Sequence, residues 1–228
     1  MVENGLSPQE LSEILRLLGA ENGADGALRS EIDGCLTELR GCDARGLFKI
    51  FEIKTNDAEV EISPSLRLAG ADLARLCRGC GRAALLAVTL GAGADRLIAR
   101  AQAQSISRAV VMDACASAEV ERMCCEMEPR IMEAAGADKF LTMRFSPGYG
   151  DVPQSESAKI IEALDAARRI GLTVTRSQML VPVKSVTAVI GIADAPQKRY
   201  ESCGLCAAAA SCPYKKRGAY CGERAKYR

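Results

Sequence analysis

The most specific segment of the sequence is Met143-Arg-Phe-Ser-Pro-Gly-Tyr-Gly-Asp-Val-Pro153. Its proline–glycine pair predicts a tight turn, because proline fixes φ near the value that such turns need and glycine accepts a positive φ. Arg144 stands where a strand would enter this turn, and Tyr149 follows the glycine. We therefore predict a strand that ends at Arg144 and a turn over residues 146–150.

Helices and strands are both predicted on either side of this turn. They are a strand buried on both faces at 83–91, a long helical stretch at 94–134, a strand at 139–144, a helix at about 155–170 that ends at Gly171, and strands at 172–180 and 186–192. The helical stretch is too long for one helix of a compact domain, so we expect a break near 105–107 or at Pro129. Because the elements follow no regular β-α-β rhythm, the sequence predicts an α+β fold.

The N-terminal part begins with a helix signature, in which Ser7, Pro8 and Glu10 form a capping box. A second helix is predicted at about 28–39. Its side chains expected to face inward are Ile32, Cys35, Leu36 and Leu39. Residues 47–62 then alternate between apolar and polar and are interrupted by a polar turn, which predicts a β-hairpin. A short helix is predicted at 71–80.

Composition and charge argue against several classes of protein. The chain has 228 residues, of which 48% are apolar and 26% charged, as in an ordinary folded domain. The net charge of +1 and the 4% aromatic content disfavour a nucleic-acid partner. No stretch reads as a signal peptide or a membrane span, so a cytoplasmic location without a membrane partner is expected. The absence of histidine excludes Ser–His and Cys–His catalysis and histidine metal ligands.

The C-terminal segment, residues 195–228, contains a cluster of four cysteines and too few apolar residues to form its own core. The cluster consists of Cys203, Cys206, Cys212 and Cys221. A CxxC turn brings two thiolates to one ion, and two further thiolates complete a tetrahedral site. Because the cytosol keeps thiols reduced, the sequence predicts a metal site here, and it leaves both zinc and a 4Fe–4S cluster open.

A second CxxC motif is formed by Cys77 and Cys80. It has no partner cysteines close by in the sequence, so buried thiols at a helix end are the commoner outcome; a redox motif and a secondary metal contact are the alternatives. The remaining cysteines of the long helical stretch are interpreted as packing residues. They are Cys115, Cys124 and Cys125.

The stretch 143–153 resembles the RxxPGY element of the activation domain of cobalamin-dependent methionine synthase. Arg144, Pro147, Gly148 and Tyr149 match that element. The resemblance continues through Gly171-Leu-Thr-Val-Thr175, Met179-Leu-Val-Pro182 and Lys184-Ser-Val-Thr-Ala-Val-Ile-Gly191, and covers about residues 85–192. Residues 1–80 are closer to the short, clostridial-type activation proteins, and the cysteine tail is absent from the full-length enzyme.

For the fold, this resemblance implies a twisted, mostly antiparallel sheet with flanking helices. Together with the small cysteine-rich, metal-bound tail predicted from the cysteine spacing, it divides the chain into an N-terminal helical and hairpin part at 1–82, an activation-domain-like core at 83–194 and the tail at 195–228.

For the site, the resemblance implies S-adenosylmethionine as the ligand. The guanidinium of Arg144 suits the ligand carboxylate, and a turn without a bulky side chain allows the ligand to approach the backbone. The implied contacts are Arg144, the Ser146 backbone, Pro147, Gly148, Tyr149 and, for the ligand ammonium, Glu121. Glu119 is the alternative partner for that ammonium.

For the function, the resemblance implies an accessory activation subunit that presents S-adenosylmethionine during reductive remethylation of cob(II)alamin. Cobalamin would enter only through the partner, which is a cobalamin-dependent methionine synthase or another corrinoid protein. A flavodoxin or ferredoxin would donate the electron. For a chain that helps to deliver an electron, an iron–sulfur cluster is a more suitable metal group than zinc. The alternative is a non-catalytic scaffold or regulatory partner, held together by a metal, that does not bind S-adenosylmethionine.

Overall fold

The computed structural model describes residues 6–20, 23–196 and 210. Its helices are α1 (Pro8–Leu17), α2 (Gly26–Arg40), α3 (Ala71–Leu76), α4 (Gly91–Gln104), α5 (Ile106–Ala135), α6 (Glu156–Leu164) and α7 (Ala166–Ile170). Its strands are β1 (Arg45–Glu52), β2 (Lys54–Thr55), β3 (Glu59–Ser63), β4 (Leu66–Ala69), β5 (Cys80–Thr89), β6 (Phe140–Leu141), β7 (Thr173–Val174), β8 (Leu180–Val181) and β9 (Ser185–Ala193). The predicted α+β class is confirmed. None of the described helices is long and apolar enough to cross a bilayer.

The strands form three sheets that contain antiparallel pairs. A four-stranded sheet has the order β1-β5-β9-β6, a three-stranded sheet the order β2-β3-β4, and β7 pairs with β8. In β5 every side chain from Ala83 to Val88 is fully buried. The strand that was predicted to be buried on both faces is therefore confirmed, and it lies inside the larger sheet.

The described part of the chain divides into two compact units. The first takes the residues up to Gly46, together with Val88–Met127 and Ala167–Val186. The second takes Leu47–Ala87, Glu128–Ala166 and the described residues from Thr187 onward. The three-segment division drawn from the sequence stays a prediction.

The helical part of the first unit follows local sequence signals. The Ser7 hydroxyl accepts the Glu10 N–H at 3.2 Å, and the Glu10 carboxylate accepts the Ser7 N–H at 2.8 Å, so the predicted capping box is confirmed. The four side chains of α2 that were expected to face inward are all buried. Helix α4 ends at Ser105, where the backbone turns extended, which confirms one of the two predicted breaks. Pro129, the other, lies inside α5.

A buried charge network in the first unit ties α1 and α2 to α5. The Glu119 side chain is only 3% exposed and accepts hydrogen bonds from Arg122 at 2.6 and 3.0 Å and from Arg40 at 3.3 Å. Arg40 also contacts Glu10 at 2.8 Å. Burying a carboxylate is costly unless it is paired and hydrogen-bonded, and here two guanidinium groups meet that requirement.

The hairpin predicted over residues 47–62 is only partly correct. Its turn exists, because the Asn56 side chain accepts the N–H groups of Ala58 and Glu59 at 2.8 and 2.9 Å. However, this turn joins the two-residue strand β2 to β3, whereas β1 lies next to β5 in the larger sheet. Strand β4, which pairs with β3, was not predicted. A half-buried strand gains more from the apolar β5 than from a local partner, so a distant contact decided the pairing.

Two other predicted elements are interrupted in the structure. The helix predicted at 155–170 is divided into α6 and α7 at Asp165, whose φ is +52°. The strand predicted at 172–180 is instead the antiparallel pair β7–β8. Thr175 starts the turn between these strands, since its hydroxyl accepts the Met179 N–H at 3.1 Å, and Gln178 adopts a φ of +64°. Polar residues that hydrogen-bond their own backbone favour such turns over a continuous strand.

Candidate functional site

The strand predicted at 139–144 is shorter than expected because it contains a bulge. Leu141 pairs with Ile192, and Phe145 forms an isolated bridge with Val189. Three residues lie between Leu141 and Phe145, whereas two lie between their partners, so residues 142–144 include one extra residue. Bulges of this kind redirect side chains and often lie next to functional sites. Arg144 therefore leaves a bulged strand end rather than a regular one.

The backbone on both sides of Arg144 is fixed within the second unit. The Thr142 N–H donates to the Gly191 carbonyl at 2.9 Å, and the Gly191 N–H donates to the Thr142 hydroxyl at 2.8 Å. Phe145 and Val189 exchange backbone hydrogen bonds of 2.9 and 2.8 Å. The entry to the turn is thus attached to β9 at two points.

Asp151 fixes the exit of the turn. Its carboxylate accepts the N–H groups of Ala71 and Asp72, the first residues of α3, at 2.8 and 3.0 Å. A carboxylate at a helix N-terminus satisfies orphan N–H groups and complements the helix dipole. This role of Asp151 is not visible in the sequence. No local signal links it to a helix 80 residues earlier, because helix caps are normally sought next to the helix they serve.

The turn itself is formed by backbone hydrogen bonds. The Tyr149 N–H donates to the Ser146 carbonyl at 3.2 Å, and the Gly148 N–H donates to the Val152 carbonyl at 2.9 Å. Pro147 is buried, whereas Gly148 is exposed and the Tyr149 side chain is 70% exposed. The predicted turn over 146–150 is confirmed, and it presents a phenol and the exposed Gly148 to solvent.

We predict that Gly148→Ala destabilises the protein by about 1–2 kcal/mol, because the φ of Gly148 is +91°, a region that L side chains avoid. The added methyl group would also meet the Gln154 side chain, whose flexible end can move away. Urea unfolding followed by circular dichroism measures the change. Gly81→Ala is the matched control, since a methyl group there meets no atom within 4 Å and should change stability by less than about 0.5 kcal/mol. Equal effects at the two positions would contradict the strain argument.

Arg144 is enclosed rather than open to solvent. Its side chain is 4% exposed, and its Nη1 atom lies 3.3 Å from Oε1 of Glu128. A buried guanidinium requires a partner, and Glu128 supplies a negative charge. A ligand carboxylate would therefore have to share the guanidinium with Glu128 or displace Glu128 from it.

The two candidate partners for the ligand ammonium differ in their surroundings. Glu121 lies in the part of α5 that belongs to the first unit and is half-buried. Glu119 is committed to the buried network with Arg40 and Arg122. Releasing Glu119 to a ligand would leave the partly buried guanidinium groups of Arg40 and Arg122 without this carboxylate, which is costly. The assignment of Glu121 as a ligand contact stays a prediction.

Five of the described cysteines are buried, whereas Cys42 and Cys125 are only half-buried. Cys77 and Cys80 are both buried, and burial raises the pKa of the Cys77 thiol to about 12 and that of the Cys80 thiol to about 11. Since the thiolate is the form that exchanges with disulfides, burial leaves neither thiol activated for that redox reaction. Cys115 and Cys124 are buried as well.

The predicted metal ligands lie outside the described residues. They are Cys203, Cys206, Cys212 and Cys221. In the part of the chain that is described, no three cysteine or acidic side chains are grouped so that they could hold a metal ion.

The first unit also contains an open cavity of about 790 Å³. Three arginines line it, but Arg100 pairs with Glu38 and Arg45 with Asp43, both at 2.5 Å. None of the residues from Arg144 to Tyr149 lines this cavity. Its charges largely cancel, and no ligand is assigned to it.

The sequence pattern described as "Vitamin B12 dependent methionine synthase, activation domain" matches residues 81–219, which is more than half of the chain. The chain belongs to this activation-domain family. The fold agrees with a crystal structure of the MetH reactivation domain bound to AdoHcy, with a TM-score of 0.61 at 17% sequence identity. That match covers 95% of this chain and 78% of the other. A search of curated protein sequences finds no match to the chain. The family predicted from the RxxPGY element is thus confirmed.

Proposed function

We propose that this activation-domain protein binds S-adenosylmethionine at the turn from Arg144 to Tyr149 and supports the reductive remethylation of a corrinoid. The partner is a cobalamin-dependent methionine synthase or another corrinoid protein, and a flavodoxin or ferredoxin is the proposed electron source. The observation that carries the proposal is the family match over residues 81–219, which includes the whole turn. The fold likeness to a domain bound to AdoHcy, the demethylated form of S-adenosylmethionine, supports it.

The residues of the turn suit the groups of this ligand. Arg144 would bind the carboxylate through charge-assisted hydrogen bonds, because its planar fork matches carboxylate geometry. The backbone from Ser146 to Gly148 would approach the adenine or ribose edge, and Tyr149 would lie against it and donate a hydrogen bond. Glu121 would contact the ammonium. The corrinoid supplies the methyl acceptor, so this chain needs only to bind and orient the nucleotide, which requires no general acid or base.

Two measurements test this proposal. Isothermal calorimetry should show saturable binding of both S-adenosylmethionine and AdoHcy to the full chain. Adding the chain to a methionine synthase that lacks an activation domain, in its cob(II)alamin form with a reductant, should restore methylcobalamin in the visible spectrum. A chain that releases no heat with either nucleotide and restores no methylcobalamin would end the proposal.

The enclosure of Arg144 favours one alternative function. A guanidinium that is 4% exposed and paired with Glu128 is also what a purely structural ion pair would show. In this alternative the chain is a non-catalytic scaffold or regulatory partner of a corrinoid methyltransferase and does not bind the nucleotide. The calorimetric experiment separates the two functions, because only the first predicts heat on addition of S-adenosylmethionine.

We further propose that the C-terminal cysteines hold a metal. Four thiolates within nineteen residues, counted from Cys203 to Cys221, form a donor set that suits either zinc or a 4Fe–4S cluster. Of the two, the cluster fits a protein that takes part in electron delivery, since zinc has no redox chemistry. Thiolates at this site would bind the metal and order a segment that has few apolar residues.

We predict that anaerobically purified protein contains iron and sulfide and shows broad visible absorption. Both should disappear in the double variant Cys203→Ser/Cys206→Ser and persist in Cys125→Ser, whose cysteine lies in α5. Elemental analysis with visible spectroscopy makes the measurement. Tightly bound zinc without iron would refute the iron–sulfur cluster and leave a structural zinc site. Protein without any bound metal would refute the cluster and the zinc site alike.

A further inference from the structure

The bulge sets the direction of the Arg144 Cα–Cβ bond but not the position of the guanidinium at the end of the side chain. In a regular strand the alternation of the pleat sets the face to which a side chain points, but the extra residue in 142–144 interrupts that alternation. Arginine has four rotatable side-chain bonds and loses considerable conformational entropy when it is ordered. Contacts of the side chain must therefore determine where the guanidinium lies.

Glu128 is placed to supply such a contact. It precedes Pro129, which lacks an N–H group and disfavours helical geometry in the residue before it. The second unit begins at Glu128, so the last part of α5 belongs to the same compact unit as Arg144. The end of that helix is held as well, because the Arg82 guanidinium donates to the Ala135 carbonyl at 2.8 Å. The Glu128 carboxylate thus projects from a helical segment that is anchored in the same unit.

We propose that Glu128 is a positioning residue that orients Arg144 for the carboxylate of the bound nucleotide, an inference that rests on the function proposed above. The guanidinium is planar and carries five N–H donors in a fixed arrangement. The Glu128 carboxylate lies 3.3 Å from Nη1 as an ion-pair contact and draws that end of the guanidinium toward α5. Glu128 is not a ligand contact in this proposal; it acts through Arg144.

The test compares two nucleotides that differ only in the group that Arg144 would bind. Decarboxylated S-adenosylmethionine retains the adenosine, the sulfonium and the ammonium but lacks the carboxylate. Glu128→Gln keeps the shape of the side chain and one acceptor oxygen while it removes the charge. We expect this variant to bind S-adenosylmethionine about tenfold more weakly, the loss of a single charged hydrogen bond. Its affinity for the decarboxylated nucleotide should stay within about twofold of wild type.

The ratio of the two affinities distinguishes positioning from a general structural role. A variant whose fold is damaged loses affinity for both nucleotides, whereas a misdirected Arg144 affects only the one with a carboxylate. Glu133→Gln, on the exposed surface of the same helical segment, is the matched control and should leave both affinities unchanged. If Glu128→Gln fails to fold by circular dichroism, Glu128→Asp replaces it. That variant keeps the charge but shortens its reach, so the same selective loss is expected.

The outcomes separate this inference from the proposed function. If the wild-type chain binds S-adenosylmethionine and Glu128→Gln binds it as tightly or more tightly, the positioning role is overturned while the proposed function stands. Parallel loss of both nucleotides would likewise overturn the positioning role. If the wild-type chain binds neither nucleotide, the proposed function falls and the inference falls with it.

Discussion

An Arg144→Met variant is expected to bind S-adenosylmethionine at least about a hundredfold more weakly than the wild-type chain. Charged hydrogen bonds contribute about 1.5–3 kcal/mol each, and a guanidinium makes two with a carboxylate that it binds side by side. Methionine keeps much of the aliphatic volume but removes the charge and every donor. Calorimetry at one pH and one salt concentration gives the two dissociation constants.

The control variants address the ion pair that this substitution breaks. Arg144→Met leaves Glu128 without the charge beside it, so the double variant Arg144→Met/Glu128→Gln should bind as weakly as the single one. Arg78→Met removes a 70% exposed arginine whose partner, Asp57, is fully exposed, and it should bind like the wild type. Wild-type affinity in a folded Arg144→Met variant would remove this residue from the site.

The second large effect is expected in Glu119→Gln, which should lower the free energy of unfolding by about 3 kcal/mol. Breaking a buried ion pair from one side costs about 3–5 kcal/mol, because the remaining charges stay buried without compensation. The expected loss of stability lies at the lower end of this range, because the Arg40 and Arg122 side chains are 25% and 30% exposed and retain some contact with water. Urea unfolding of the two proteins, monitored by circular dichroism, measures the difference.

Glu133→Gln is the matched comparison for Glu119→Gln. Both substitutions remove one negative charge from α5, but Glu133 is exposed and should change stability by less than about 0.5 kcal/mol. A loss below about 1 kcal/mol in Glu119→Gln would mean that the network contributes no more than surface ion pairs do.

The features that sequence analysis predicted correctly depend on neighbouring residues. The capping box needs only Ser7 and Glu10, three residues apart, and at the break the Ser105 hydroxyl accepts the Arg108 N–H at 3.3 Å at the start of α5. The buried strand β5 was recognisable because its apolar run has no polar face. The proline–glycine turn at residues 146–150 was likewise predictable from adjacent residues. Short-range hydrogen bonds and burial decide each of these features.

The features that were missed depend on residues far apart in the chain. The pairing of β1 with β5, the cap that Asp151 provides for α3, and the contact of Arg144 with Glu128 each join segments whose proximity no local pattern reveals. The bulge before Phe145 becomes visible only when its register against Val189 is known. Glu119 looked as suitable as Glu121 for the same reason, because its arginine partner Arg40 lies on another helix.

A crystal structure of the chain grown with S-adenosylmethionine tests the central claim most directly. We predict nucleotide density against the backbone from Ser146 to Gly148, with the ligand carboxylate on the Arg144 guanidinium and the Tyr149 ring beside the adenosine. Density elsewhere, or an empty turn in which Arg144 keeps its contact with Glu128 at a saturating nucleotide concentration, would contradict nucleotide binding at this turn.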